Sequence, residues 1–204
     1  MLWNGSLREV ANTCDYKSIM DIIKAIPKNE WEKDTEKRNS KMVHGTTTAL
    51  FLKYKSQSYE KNDNITMNKL KPYLDEIISQ IKNFYGYTSI LLTRVIITEL
   101  PKGSIIPEHT DDGELLNTNH RVHIPLVSDP TVKFSLDHKN YYLKPGYAYE
   151  INNQLIHAVR NESNIDRIHM IIDLKEWKDG EQTEFYDVDS KKYLQIAFYI
   201  VFPD

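Results

Sequence analysis

Two stretches, RVHIPLV at residues 121–127 and RIHMIIDL at residues 167–174, decide the fold that the sequence predicts. In the first, Arg121 and His123 share one face of a strand, and the apolar residues between and after them share the other. The second stretch alternates in the same way and places these polar residues on one face: Arg167, His169 and Asp173. This period of two predicts strands with one apolar face and one polar face.

Further short β segments surround these two between residues 88 and 177, and turns rich in Pro, Gly, Asp and Asn separate them. The predicted strands are Ser89–Leu100, Arg121–Val127, Val132–Leu136, Tyr141–Leu143, Tyr147–Asn152, His157–Asn161 and Arg167–Leu174. Strands at this spacing are typical of a double-sheet barrel or jelly roll. We therefore predict a mainly β, cupin-like jelly-roll core with flanking helices.

The flanking segments are predicted to support this core within one domain, 1–204. Residues 1–87 supply helices and a strand, residues 88–177 form the core, and residues 178–204 form a C-terminal extension. The elements predicted there are helix Asp15–Ala25 with Asp15 as its cap, strand Thr46–Tyr54, helix Thr66–Tyr85 ending at Gly86, and a late edge strand Tyr193–Phe202. Pro72 is expected in the first turn or two of the second helix.

Composition narrows the class of protein. Hydrophobic residues make up 40% of the chain, charged residues make up 27%, and the net charge of −3 does not favour nucleic-acid binding. The single cysteine, Cys14, cannot form an internal disulfide, and no signal peptide or apolar run of ~20 residues is visible. We expect a cytoplasmic protein without membrane or nucleic-acid partners, whose oligomeric state stays open.

One group of residues has the composition of a metal site. His109-Thr110-Asp111 leads into the polar loop Asp112–Asn119, and His157 opens a later strand. Such a triplet also occurs in ordinary polar loops. However, two imidazoles and one carboxylate together suit non-haem Fe(II) and leave positions for a co-substrate and O₂. Arg167, which we expect to face His157 across a hairpin, supplies a guanidinium that can bind a carboxylate.

The polar strand faces also suggest where a substrate binds. Arg94, Arg121, Tyr147 and Tyr149 carry groups that can meet a carboxylate or an amide, which suits an amino acid or a peptide side chain. An exposed sheet face remains the alternative explanation for Arg94 and His169.

The segment from Thr98 to Trp177 resembles the aspartyl/asparaginyl β-hydroxylase family. The likeness rests on TELPKGSIIPEHTDDG, NHRVHIPLVSD, KPGYAYEINNQLIHAVRNES and DRIHMIIDLKEW. That family belongs to the Fe(II)- and 2-oxoglutarate-dependent oxygenases and has a double-stranded β-helix core. The resemblance implies iron ligands at His109, Asp111 and His157. It further implies co-substrate residues at Arg167 for the distal carboxylate, Thr98 for the same carboxylate, and Arg121 and His123 nearby.

The implied reaction consumes 2-oxoglutarate and O₂, releases succinate and CO₂, and hydroxylates a C–H bond of an amino acid or a peptide side chain of the Asp/Asn or Pro type. The animal members lack the metal carboxylate, whereas this chain has Asp111, as the amino-acid and prolyl hydroxylases do. Two alternatives stay open. One is a cupin-fold metalloprotein without 2-oxoglutarate, which needs no arginine at Arg167. The other is a non-catalytic binding domain, against which the intact set of candidate residues argues.

Overall fold

The computed structural model describes residues 3–31, 45–53, 63–111, 113–177, 184–187 and 192–195. The helices whose two ends both lie among the described residues are α1 (Tyr16–Lys24), α2 (Asp63–Tyr85) and α3 (Glu114–Thr118). Its strands are β1 (Leu7–Ala11), β2 (Thr48–Lys53), β3 (Ile90–Leu100), β4 (Ile105–His109), β5 (His120–Val127), β6 (Val132–Leu136), β7 (Lys139–Tyr141), β8 (Ala148–Ile151), β9 (His157–Asn161), β10 (Arg167–Glu176), β11 (Glu184–Asp187) and β12 (Lys192–Gln195).

The two longer helices follow local sequence signals. The Asp15 carboxylate accepts hydrogen bonds from the backbone N–H and the hydroxyl of Ser18, at 3.1 and 2.7 Å, and so caps α1 as predicted. Helix α2 ends at Tyr85, and the next residue, Gly86, has a φ of +70°, which suits a glycine. It begins at Asp63, earlier than predicted, so Pro72 lies in the third turn and removes one backbone hydrogen bond there.

Two antiparallel sheets form the core. The larger has the order β1-β8-β5-β10-β3-β2, and the smaller has the order β4-β9-β6-β7. One buried cluster joins Leu100 and Ile151 of the larger sheet to Phe134, Leu136 and Val159 of the smaller one, so the sheets pack face to face. The predicted double-stranded β-helix is confirmed.

The central strands β5 and β10 have the two faces that their alternation predicts. Val122, Ile124, Met170 and Ile172 are fully buried and belong to the core cluster that includes apolar side chains of α1 and α2. Burial of each such side chain contributes about 1.5–3 kcal/mol. The helices therefore cover the apolar face of the larger sheet.

The polar face of the same strands is turned towards the smaller sheet and is also buried. Its members on β5 and β10 are between 1% and 8% exposed: Arg121, His123, Arg167, His169 and Asp173. An exposed sheet face is thus excluded for His169, which is 1% exposed. It is also excluded for Arg94, whose side chain is 15% exposed and ion-paired. The interior between the sheets is consequently polar and cationic at this end.

The prediction that His157 and Arg167 face each other across a hairpin is wrong. Strand β9 pairs with β4 and β6 of the smaller sheet, whereas β10 pairs with β3 and β5 of the larger one. The chain crosses between the sheets after Asn161, a fully buried residue whose Nδ2 donates to the carbonyls of Leu100 and Ile165 at 3.0 and 2.9 Å. His157 and Arg167 therefore lie on different sheets.

Other local differences are small. Strands β1, β4 and β11 were not predicted, and the polar loop after Asp111 contains the short helix α3. Strand β7 begins at Lys139, earlier than predicted, because Asp137 and His138 take φ values of 50° and 60° and complete the turn by themselves.

The C-terminal extension departs from its prediction. Strand β12 pairs with β11 in a two-stranded sheet of its own, not with an edge of the larger sheets, and residues 196–202 lie outside the described part. None of the described helices is long and apolar enough to cross a membrane.

Candidate metal and co-substrate site

His109 and His157 lie side by side. They end β4 and begin β9, they are paired directly in the ladder between these strands, and their ring centroids are 4.2 Å apart. Each Nδ1 lies close to the backbone carbonyl two residues earlier, Pro107 at 2.8 Å and Leu155 at 2.9 Å. Because a carbonyl only accepts, Nδ1 carries the proton in both rings and Nε2 carries the lone pair. The backbone thus prepares both rings to bind a metal through Nε2.

Asp111 brings a carboxylate to this pair. Its Oδ1 lies 4.0 Å from Nε2 of His109, and its Oδ2 lies 3.8 Å from Nε2 of His157. The three groups place a ligand atom within 4.8 Å of one another, and their side chains are only 6–12% exposed. The backbone N–H of Asp111 donates to the carbonyl of Asn153 at 3.0 Å, which anchors the loop. Two imidazoles and one carboxylate fit Fe(II) better than the all-oxygen sets of Mg²⁺ or Ca²⁺.

The protonation state of His157 suits a metal ligand. Burial, with a smaller contribution from the nearby His109, lowers its pKa to about 4 against the opposing effect of the hydrogen bond to Leu155. The His157 ring is therefore neutral at pH 7, which is the form that coordinates.

A chain of ion pairs runs from the candidate metal carboxylate into the barrel. The guanidinium of Arg121 bonds to Asp111 through Nη1 and to Asp173 through Nε at 2.9 Å and Nη2 at 3.2 Å. Asp173 also accepts from Arg94. Burial raises the pKa of Asp173 to about 6 against the effect of Arg94, so the carboxylate is ionised at neutral pH. Arg121 consequently holds Asp111 in place.

The predicted co-substrate residues come together on β3 and β10. Arg167 pairs in register with Leu100, and His169 pairs with Thr98, so Thr98 and His169 share the interior face. Arg167 and Thr98 are 3% and 4% exposed. Nη2 of Arg167 donates to Nδ1 of His169 at 2.8 Å. The interior therefore holds a buried guanidinium with a hydroxyl and an imidazole beside it.

His123 joins this group, and Tyr149 lies directly opposite it in the ladder between β5 and β8. The His123 ring is 5.8 Å from that of His169. The hydroxyl of Tyr149 accepts from the backbone N–H of Lys144 at 3.3 Å, and its ring stacks on Tyr147 at 6.1 Å. The tyrosines thus contact the turn before β8, and the predicted substrate contact of Tyr149 stays a prediction.

Asp173 and His169 contact the candidate residues Arg121 and Arg167, but the sequence analysis assigned neither of them a role. Their alternation with Arg167 already placed them on the cationic face. Because a buried cation needs a partner, the presence of the Asp173 carboxylate on that face could have predicted its ion pairs with the arginines. The roles of Asn153 and Gln154 in anchoring Asp111, by contrast, are visible only in the folded chain.

Solved structures share this fold. They include a 2-oxoglutarate–Fe(II) oxygenase family protein from Burkholderia pseudomallei, at 13% identity and a TM-score of 0.51, covering 65% of this chain and 69% of that one. A collagen prolyl hydroxylase of Paramecium bursaria Chlorella virus-1, solved with 2-oxoglutarate, is 9% identical with a TM-score of 0.51. The match covers 86% of this chain and 98% of that one. The non-haem monooxygenase ThoJ is 12% identical with a TM-score of 0.53, and the match covers 84% of this chain and 74% of that one. At these identities the likeness concerns the fold.

The sequence provides the assignment to a family. No curated protein sequence matches the chain. The sequence pattern of the aspartyl/asparaginyl β-hydroxylase family, in contrast, matches residues 14–176, which is most of the chain and includes every candidate metal and co-substrate residue. The chain therefore belongs to the aspartyl/asparaginyl β-hydroxylase family.

Proposed function

We propose that this protein is an Fe(II)- and 2-oxoglutarate-dependent dioxygenase that hydroxylates a C–H bond of an amino acid or of a peptide or protein side chain, with release of succinate and CO₂. The observation that carries the proposal is the convergence of His109, Asp111 and His157, whose ligand atoms lie within 4.8 Å of one another. Iron and 2-oxoglutarate, when bound with O₂, supply the oxidant for this chemistry.

The chain's own contribution to the metal is orientation. His109 and His157 coordinate through Nε2, because the carbonyls of Pro107 and Leu155 hold the protons on Nδ1. Asp111 supplies the third ligand, and Arg121 takes part of its hydrogen-bonding capacity. Arg121 therefore limits how the carboxylate turns, in addition to lying at the edge of the co-substrate site.

Arg167 binds the distal carboxylate of 2-oxoglutarate in this proposal. Its guanidinium is buried on β10, where a carboxylate ion pair is little weakened by water. The Thr98 hydroxyl lies on the neighbouring strand and donates to the same carboxylate, while His123 lines the co-substrate site from β5. An iron site at one end of the barrel and a cation within it suit a ligand that chelates at one end and carries charge at the other.

The charges of the site favour a substrate with a carboxylate. Three arginines, Arg94, Arg121 and Arg167, and two aspartates, Asp111 and Asp173, are buried or nearly so. With Fe(II) and dianionic 2-oxoglutarate added, one net positive charge is left for the substrate to neutralise. Arg94 has a more exposed side chain than Arg121, and we assign it to the substrate carboxylate. Tyr149, which lies opposite His123 in the β5–β8 ladder, is the second substrate contact.

Anaerobic titration tests the co-substrate assignment. Fe(II) and 2-oxoglutarate together should give the weak visible absorption band of the metal–2-oxo-acid chelate, and His157→Ala should abolish it. His138→Ala is the matched control, because His138 lies in an exposed turn. Iron binding without the band would favour a cupin-fold metalloprotein of other function, and absence of iron binding would favour a non-catalytic domain.

Two substitutions separate the roles within the site. Asp111→Ala should weaken iron binding and abolish substrate-coupled succinate release, and normal product formation by this variant would remove Asp111 from the site. Arg167→Ala should raise the KM for 2-oxoglutarate by about tenfold or more while iron affinity stays unchanged. An unaltered KM would refute the role of Arg167. Substrate screening then starts with free amino acids and with Asp- and Pro-containing peptides.

A further inference from the structure

The tautomer of His169 is fixed by its neighbour on the same strand face. Nη2 of Arg167 lies 2.8 Å from Nδ1 of His169. A guanidinium has only donors, so Nδ1 must accept and the single proton of the neutral ring lies on Nε2. His169 therefore presents an N–H donor from Nε2.

That donor has no acceptor in the part of the chain that the structure describes. His169 is 1% exposed, and its Nε2 has no hydrogen-bond partner among the described residues. Buried N–H groups nearly always have an acceptor, because burying one without a partner is unfavourable. An acceptor that is not part of the polypeptide would satisfy this one.

The position of His169 indicates the chemistry of the acceptor. The residue lies on the interior face of the larger sheet, beside Arg167 and directly across the β3–β10 ladder from Thr98. A guanidinium, a hydroxyl and an imidazole N–H grouped in a buried site are donors for one anionic group, above all a carboxylate.

The His169 ring keeps its donor over the physiological pH range. Burial lowers the pKa of His169 well below its ordinary value, and the positive charge of Arg167 and the neighbouring His123 lower it further. The ring therefore stays neutral, and Nδ1 stays available to Arg167.

We propose that His169 is a co-substrate-binding residue whose Nε2–H donates to the carboxylate that Arg167 binds, while its Nδ1 holds the Arg167 guanidinium in the orientation for that contact. The inference rests on the proposed function, since the carboxylate is the distal one of 2-oxoglutarate. It makes this end of the pocket a three-donor site selective for 2-oxo acids with a second carboxylate.

Two substitutions separate the two ring nitrogens. In His169→Asn, the amide oxygen replaces the Nδ1 acceptor and no donor remains at the Nε2 position. In His169→Gln, the amide nitrogen replaces the Nε2 donor. His138→Asn is the control, because His138 is an exposed histidine at a positive φ of 60° that asparagine tolerates.

The measured quantity is the dissociation constant of each 2-oxo acid from the anaerobic Fe(II) protein, followed by the visible band. The ligands are 2-oxoglutarate and 2-oxopentanoate, which has a methyl group in place of the distal carboxylate. His169→Asn should raise the dissociation constant of 2-oxoglutarate about tenfold or more and leave that of 2-oxopentanoate within about twofold. His169→Gln should raise the dissociation constant of 2-oxoglutarate by a smaller factor. His138→Asn should bind both ligands with the dissociation constants of the unsubstituted protein.

If His169→Asn weakened the binding of both ligands by the same factor, or of neither, the role of His169 would be overturned while the proposed function stayed intact. Absence of 2-oxoglutarate binding by the unsubstituted protein would overturn both.

A measurement on the unsubstituted protein tests the same proposal even if the His169 variants do not fold. In the ¹⁵N-histidine-labelled Zn(II) form, the His169 Nε2–H resonance should shift on addition of 2-oxoglutarate but not of 2-oxopentanoate. A proton found on Nδ1 instead, or a resonance indifferent to 2-oxoglutarate, would overturn the proposal.

Discussion

The substitution Asp173→Asn examines the ion-pair chain that links Arg94 to the candidate metal site. Asp173 is 1% exposed and accepts from both Arg121 and Arg94. Asparagine has the same shape, so the substitution leaves no cavity. It removes the negative charge, and its amide donor faces a guanidinium donor. Arg121 keeps its contact with Asp111, whereas Arg94 would lose its carboxylate.

The expected cost follows from burial. Removing one partner of a buried ion pair costs about 3–5 kcal/mol, because a charge is left uncompensated away from water. Here Arg94 is partly exposed, with 15% of its side chain accessible, and Arg121 retains one carboxylate, so we expect the lower end of this range, about 3 kcal/mol.

The control is Glu162→Gln. Glu162 also lies between two cations, Lys133 at 2.6 Å and Arg160 at 3.7 Å, but these side chains are 38–60% exposed. Exposed pairs contribute about 1 kcal/mol at most. Urea unfolding of the metal-free protein at pH 7 gives both free energies of unfolding. A loss for Asp173→Asn no larger than that for Glu162→Gln would refute the view that this buried network supports the site.

Two further predictions concern stability. The lowered pKa of His157, about 4 when folded, means that the unfolded chain binds a proton more readily, so stability is complete above about pH 6.5 and is lost as pH falls towards 4. Between pH 7.5 and 5.5 the metal-free protein should lose about 1 kcal/mol through this residue, measured by urea unfolding, and a slope that His157→Asn leaves unaltered would contradict the assignment. Gly103→Ala should cost about 1 kcal/mol of unfolding free energy, because φ is +74° at this glycine while no atom lies within 4 Å of an added Cβ. Unchanged stability would show that the turn before β4 adjusts freely, and 2-oxoglutarate affinity should stay the same either way.

The sequence by itself determined the features that depend on near neighbours along the chain. Alternation over residues 121–127 and 167–174 specified strands with one apolar and one polar face, since side chains of a strand point alternately to its two sides. The cap at Asp15 and the stop at Gly86 follow from local hydrogen bonding and from backbone sterics. The residue types of the metal group could also be recognised in the sequence, because the ligand chemistry of a histidine or an aspartate does not depend on the fold.

The tertiary structure alone decided which of these elements meet. It placed β9 and β10 in different sheets, and it set His109 opposite His157 in the β4–β9 ladder. It also put Asp173 between two guanidiniums and His169 across from Thr98. Strand pairing and register join residues far apart in sequence, and the backbone groups that make the ladder are the same for every residue, so no local pattern names the partner.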